Sequence, residues 1–390
     1  MDIKIINDIG EIAEGWKSIQ DNISFELSYD WYRNNLEVLS DDIFYICCFE
    51  NNKLQVLLPI YHVKKDIIWS FNNPLKFLDG SNYLLNIPFD KSKLLFENQE
   101  YFLVTSPFGY QCDFININNC VSNNQKSIII RAVDAKLKDE MKKRNVNNTF
   151  FLYVEENSLM DNFYKNSNFK IPIIYDCIAN TNYVNFEDYL KQELYNPKDR
   201  REIKREERIF IEKGLKIDRI NNFRDYIDIL AKLEGNLLCK YGYSDSINFT
   251  YSKDWYYRLN KIYGDRSFIF IVKNNNGTII GFSLFISDKN GKRIAAKATG
   301  FDYNLIPKNS YSYFNVVYYK PIRYAIENEV KQISFGCETY KAKIKRGCKL
   351  KQYNLICIFN KDSQFKKNYC FNETTQEYLN LMNKIKRGNI

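Results

Sequence analysis

Residues 25–32 read Phe25-Glu26-Leu27-Ser28-Tyr29-Asp30-Trp31-Tyr32, and residues 249–256 read Phe249-Thr250-Tyr251-Ser252-Lys253-Asp254-Trp255-Tyr256. Both fit F-x-x-S-x-D-W-Y, at an offset of 224 residues. The likeness continues past the motif. After Trp31 come a helix-like stretch, Asp41-Asp42, the apolar run Ile43–Phe49, Asn51-Asn52 and a second run Leu54–Tyr61. After Trp255 come a helix-like stretch, Asp265, the run Ser267–Val272, Asn274–Gly277 and a second run Thr278–Ile286. Each copy reads as helix, strand, tight turn, strand. The chain has four Trp, and two of them stand at matched places. The period exceeds the roughly 20–50 residues of solenoid repeats, so it points to two copies of one fold in tandem. Chance likeness in an aromatic-rich chain is the competing reading.

The bulk composition fits that picture. A length of 390 residues with 45% hydrophobic content suits a globular protein of two domains. No run reaches the ~18 uninterrupted apolar residues of a membrane span, and the start, Met1-Asp2-Ile3-Lys4, lacks a signal-peptide layout. The expectation is a soluble cytoplasmic chain. Ten Cys are scattered without a C-x-x-C pair and the single His is His62. A zinc site or a disulfide framework is therefore not expected. The net charge of +9 suits an anionic partner (a phosphorylated cofactor, an acidic carrier protein, RNA or a membrane surface) or simply a well-solvated surface. DNA is not among the partners expected.

The second half carries the longer signals. Pro197 suits the first turn of a charged helix that closes at Lys213-Gly214. Ser28 and Ser252 are each placed to cap the helix of their copy. Asn290-Gly291 marks a hairpin turn before a long strand, Lys292–Asp302, and a helix over Ser310–Asn328 follows. Strands at Lys331–Phe335 and Gln352–Phe359 complete an α/β (α+β) pattern.

This order resembles the GNAT acyltransferase fold. The tandem arrangement resembles Fem-type and related bacterial proteins of the peptidoglycan- and cellulose-associated acetyltransferase group. The residues that carry the resemblance are Arg200-Arg201-Glu202-Ile203-Lys204-Arg205-Glu206-Glu207-Arg208 with Lys213-Gly214-Leu215, then Phe335-Gly336, Tyr340-Lys341 and Arg346-Gly347, and in the first half Trp16, Trp31 and Ser106-Pro107-Phe108-Gly109-Tyr110. It implies two GNAT-like domains, each a mixed twisted sheet flanked by helices. The expected bounds are 1–175 for a degenerate copy, 176–365 for the catalytic copy, and 366–390 for a tail that reads as helical.

The resemblance further implies an opening between two central strands, where an acyl donor lies with its phosphates at the start of the next helix. Unpaired first-turn amides and the helix dipole favour anions there. Lys308, Asn309, Ser310 and Tyr311 are the candidates for holding the donor; an ordinary cap is the alternative. The segment Asp302–Ser310 contains no Gly, unlike the pyrophosphate loop of simple GNAT enzymes. Acyl-CoA, an acyl-carrier thioester and charged tRNA all stay open as cosubstrates, with no tightly bound cofactor and no metal. The acceptor is a small amine or peptide. For attack by an amine, Glu338 and Asp302 are candidate bases and Tyr340 a candidate acid. Lys341 matches the family lysine and is the foremost single candidate, either to bind a substrate carboxylate or phosphate or to support developing charge. Arg201, Lys204, Arg205 and Arg208 share one helical stripe and can contact phosphate, or form a solvated face. Tyr243 can line an acceptor channel or pack in the core. Catalysis by direct transfer of an acyl group to an amine is the primary reading. Aminoacyl-tRNA-dependent transfer and a non-enzymatic scaffold are the rivals.

Overall fold

The computed structural model describes residues 1–36, 39–65, 67, 69–78, 100–117, 122–167, 169–240, 245–359 and 371–387. The chain divides into two units, Met1–Tyr175 with Lys351–Ile390, and Asp176–Leu350.

Unit one contains β1 (Asp2–Ile6), α1 (Tyr29–Asn35), β2 (Ile43–Glu50), β3 (Lys53–Val63), β4 (Tyr101–Val104), α2 (Asn123–Lys143) and β5 (Asn148–Glu155). Its last strand is β12 (Lys349–Phe359), whose residues Tyr353–Phe359 pair antiparallel with β5. The sheet runs antiparallel from β1 through β4, and then β4 and β5 pair in parallel. Alternation on β2 sends Phe44, Ile46 and Cys48 to one face, where Ile130, Val133, Leu137 and Met141 of α2 cover them. Ser28 caps α1, accepting a hydrogen bond from the Trp31 amide at 3.3 Å. Trp31 is fully buried and donates its indole N–H to the Pro107 carbonyl at 2.6 Å. His62 is also buried, between the carboxylates of Asp42 (3.0 Å) and Glu100 (2.8 Å).

Unit two repeats the same sequence of pairings. It contains α3 (Pro197–Glu212), β7 (Lys216–Ile220), α4 (Ile227–Lys240), α5 (Asp245–Tyr263), β8 (Ser267–Lys273), β9 (Ile279–Ser287), β10 (Arg293–Phe301), α6 (312–327), β11 (Gln332–Ser334) and α7 (Tyr340–Ile344). The run β7-β8-β9-β10 is antiparallel, β10 pairs with β11 in parallel, and β11 pairs antiparallel with the end of β6 (Phe169–Asn180). The β2–β3 hairpin has its bulge at Cys48/Phe49 and the β8–β9 hairpin at Val272/Lys273, again 224 residues apart. A shared bulge at a shared offset is hard to obtain by chance, since bulges are specific local features.

Two expectations differ from what is found. The sequence reading runs the second domain to residue 365, whereas the chain rejoins unit one at Lys351, because β12 completes the β5 edge. Ser252 is not a cap. Its helix starts at Asp245, which leaves Ser252 in the interior, where its hydroxyl bonds to Glu234.

Close packing in unit two turns on Gly300 of β10. A Cβ built there would lie 2.4 Å from Leu233 C and Glu234 N, so only glycine lets α4 approach. Gly235, one turn position away on α4, has nothing within 4 Å. Gly300→Ala is expected to destabilise the protein by about 1–3 kcal/mol through overpacking. Gly235→Ala is expected to stabilise it by up to ~1 kcal/mol through helix propensity. Urea denaturation of both variants checks the contrast.

Candidate active site

The site is built around the point where β10 and β11 part. Their parallel register has three rungs, Arg293–Gln332, Ile294–Ile333 and Ala295–Ser334. There β11 ends, while β10 runs on to Phe301 along β9 with a bulge between Ala296 and Ala298. Ala295 to Thr299 keep partial solvent exposure, although the facing β9 residues Phe285 and Leu284 are fully buried. A central strand of a covered sheet is normally buried, so this exposure marks an open edge.

The chain leaves β11 through an unusual turn. Gly336 (φ +70°), Glu338 (φ +67°) and Thr339 (φ +46°) lie in the left-handed region, which costs energy for the two non-glycine residues. Two buried charges hold it. Asp176 accepts the Ser334 hydroxyl at 2.8 Å and the Gly336 amide at 3.0 Å. The Lys343 ammonium donates to the carbonyls of Phe335 (2.8 Å), Gly336 (3.0 Å) and Cys337 (2.6 Å). Glu338 itself is exposed, yet local burial raises its carboxyl above the ordinary value, opposed by the Lys343 ammonium.

Across the opening, α6 follows a loop with two more left-handed residues, Asn309 (φ +55°) and Tyr311 (φ +56°). Ser310 is buried, its hydroxyl 2.7 Å from that of Ser312. The helix contains a π turn at Asn315–Tyr319, and the Ser283 hydroxyl on β9 donates to the Val316 carbonyl at 2.7 Å. Such wide turns recur at functional sites. This one turns Tyr319 toward a buried ion pair. Arg346 donates to Glu206 (3.0 Å), to the Tyr319 hydroxyl (3.0 Å) and to the Ala342 carbonyl (2.9 Å), with its guanidinium 3.5 Å over the Phe314 ring. Tyr319 in turn donates to Glu206. Burial pushes the Tyr319 hydroxyl far up, with the Arg346 charge opposing and Glu206 adding to the rise. Beside it, Glu207 takes a bidentate bond from Arg323 at 3.0 and 3.1 Å.

The inward turn of Glu206 leaves the outer stripe of α3 less compensated than its sequence implies. Arg201, Lys204, Arg205 and Arg208 are all exposed. Lys204 pairs with Glu187 at 2.6 Å and Arg208 with Glu212 at 3.5 Å. Arg205 reaches the Tyr311 hydroxyl at 3.3 Å, so the stripe and the loop before α6 meet. Lys308 and Asn309 are exposed beside it. Lys341 is exposed on α7, and Tyr340 is buried at the same turn. Asp302 is occupied, accepting the amides of Asn304 (3.0 Å) and Leu305 (3.2 Å). Tyr243 lies outside the described residues. Asp176, Glu206, Lys343 and Arg346 are not singled out from sequence as site-forming; of these, Glu206 and Arg346 carry a signal, as parts of the Arg200–Arg208 stretch and of Arg346-Gly347.

A duplicated mixed sheet whose second copy opens between parallel central strands defines a tandem GNAT-fold protein. The FemAB-like family profile, described as peptidoglycan biosynthesis/recognition, matches residues 115–387, and the chain belongs to that family. No curated protein matches the sequence significantly. Among solved structures, FemX is similar over 94% of this chain and 99% of its own at 11% identity, TM-score 0.56. A conserved protein of unknown function from Bacteroides thetaiotaomicron is similar over 92% of this chain and 100% of its own at 11% identity, TM-score 0.52. The C-terminal domain of a protein assigned as lysylphosphatidylglycerol synthetase from Agrobacterium fabrum is similar over 96% of both chains at 10% identity, TM-score 0.51. At such identities these likenesses establish the fold.

Arg346→Ala removes the partner of a buried carboxylate. It is expected to cost about 3–5 kcal/mol, and Glu206→Gln combined with Arg346→Met to recover a large part of that. Chemical denaturation of the single and double variants measures it.

Proposed function

We propose that the chain is an acyltransferase that forms an amide bond in the opening of unit two, by direct transfer from an activated acyl donor to an amine. The observation that carries this is the parting of β10 from β11 after three rungs, beside a helix start approached by Arg205. Where β11 no longer pairs with it, β10 offers backbone donors and acceptors to a ligand, at Ala298–Phe301 above all. A pantetheine arm, with its two amides, supplies them as a substitute strand. Its phosphates then reach the loop of Lys308, Asn309, Ser310 and Tyr311 and the stripe of Arg201, Lys204, Arg205 and Arg208. A thioester of coenzyme A or of a carrier protein is the first choice of donor. Lys341, at the rim, stabilises the oxyanion or the leaving group.

Aminoacyl-tRNA is the second reading. Membership of the FemAB-like family and the absence of Gly from the Asp302–Ser310 loop favour it. Its ester carbonyl would occupy the same opening and its phosphates the same stripe. The acceptor, a small amine or peptide amine, belongs to either reading.

The test is transfer to a panel of amines from acetyl-CoA, acyl-carrier protein and charged tRNA, read by mass spectrometry. At least one donor is expected to give an amide product. Arg205→Glu should raise the KM for that donor ten-fold or more, while Lys341→Ala should lower kcat ten-fold or more without altering the melting temperature. Ribonuclease-sensitive activity selects tRNA. Failure of all three donors to bind or react overturns the acyltransferase reading in favour of a scaffold.

A further inference from the structure

We propose that Glu234 receives the ammonium group of the acceptor and takes its proton, making it the base of the transfer. The proposal rests on the acyltransferase reading above and adds the acceptor side, for which the sequence offers Tyr243 as a channel residue and Glu338 and Asp302 as candidate bases.

Glu234 sits on α4 where that helix packs tightly on β10. Its backbone N is 2.4 Å from where a Gly300 Cβ would be, and Gly300 lies on the stretch of β10 beyond the last rung with β11. Phe282 pairs with Gly300 across the β9–β10 ladder, and the ring of Tyr256 lies 6.1 Å from that of Phe282. Tyr256 donates its hydroxyl to the Glu234 carboxylate at 2.8 Å, and Ser252 donates a second bond. Asn236, two residues on, donates to the Phe301 carbonyl at 3.2 Å. The segment of α4 that carries Glu234 is thus fixed against the C-terminal end of the open strand, with the carboxylate held by Tyr256 and Ser252 of α5. Ligands of open α/β sheets gather outside that end of the strands.

What it lacks is a counter-ion. Among the described residues, no Lys or Arg from α4, α5, β9 or β10 acts on it. Lys253 of α5, one residue from Ser252, pairs instead with Asp228 at 2.5 Å. A desolvated carboxylate held by two neutral hydroxyls is costly unless a cation arrives. The residue as a whole is half-buried, so solvent reaches part of it. Burial raises the carboxyl above its ordinary value, and the two hydroxyls restrain that rise. Both properties suit a proton acceptor.

The duplication provides a contrast. Ser28 and Tyr32 stand at the matched positions of the first copy. There Ser28 caps a helix and Tyr32 donates to the Thr105 carbonyl at 3.0 Å. Only in the second copy do the motif's two hydroxyls serve a carboxylate.

The step balances without another reagent. The N–H bond of the ammonium breaks and a Glu234 O–H bond forms, freeing the nitrogen lone pair. The amine attacks the acyl carbonyl carbon, and the C–S or C–O bond to the leaving group then breaks. The second proton lost by nitrogen passes to that leaving group, and Glu234 returns its proton to water.

The test uses the full chain and three variants. Glu234→Gln should lower kcat at least ~100-fold, the scale of general-base catalysis, with the donor KM changed less than two-fold. The base acts ionised, so kcat should rise with pH through a midpoint above the ordinary glutamate range. Tyr256→Phe removes a bond that favours the ionised form and should move that midpoint upward; Ser252→Ala should do the same. Glu234→Gln within three-fold of the parent, or an unmoved midpoint in both hydroxyl variants, overturns the proposal. If the parent transfers from no donor, the acyltransferase reading fails by itself. The carboxyl ¹³C signal of Glu234 then decides the ammonium site. A titration midpoint lowered by n-butylammonium supports it, and an unmoved midpoint refutes it.

Discussion

Backbone amides and carbonyls in the middle of a sheet demand partners, and an unpaired one is costly away from water. In unit two, among the described residues, β11 supplies no partner along one stretch of β10. β11 ends at Ser334, three rungs into its pairing, while β10 continues for six residues beyond Ala295. The gap does not close because β11 cannot continue. Its exit is committed to a left-handed turn at Gly336, Glu338 and Thr339, and that turn is fastened by Asp176 from one side and the Lys343 ammonium from the other. The strain in the turn and the buried charges that hold it explain each other. Together they keep an edge available for a ligand that behaves as a strand.

The surroundings of that edge are stiff for a related reason. The Glu206–Arg346 pair, capped by Tyr319 and the Phe314 ring, ties α3, α6 and α7 together. A buried pair of this kind contributes little net stability, yet breaking it is expensive. Its value here is positional. With Glu206 turned inward, α3 presents its cations to solvent, and Arg205 reaches the loop that precedes α6.

Much of the fold was legible in the sequence. The repeated F-x-x-S-x-D-W-Y and the paired apolar runs gave away the duplication, and the common bulge position shows how deep it goes. Pro197 and the Asn290-Gly291 turn marked element ends correctly, because their signals are local. What stayed hidden depends on distant partners. Nothing near Lys351 says that β12 completes the β5 edge. Ser252 looks like Ser28 until the helix start at Asp245 is known. The π turn at Asn315–Tyr319 has no local signature. In the candidate site, the helix stripe and the Lys308–Tyr311 loop were readable as separate features, and Arg205 brings them together. Lys343 has no signal of its own beside Lys341, two residues earlier, which matches a motif. Glu234 is hidden in the sequence because a lone Glu on a helix with neighbouring charges looks like surface.

The central claim is that the free edge of β10 is where the acyl donor binds. Hydrogen–deuterium exchange tests it most directly, with acetyl-CoA and charged tRNA added separately. The account predicts that one of them slows exchange of the amides of Ala296–Phe301 and of Asn309–Phe314. Unchanged exchange at both segments with both donors, or protection confined to other parts of the chain, would contradict it.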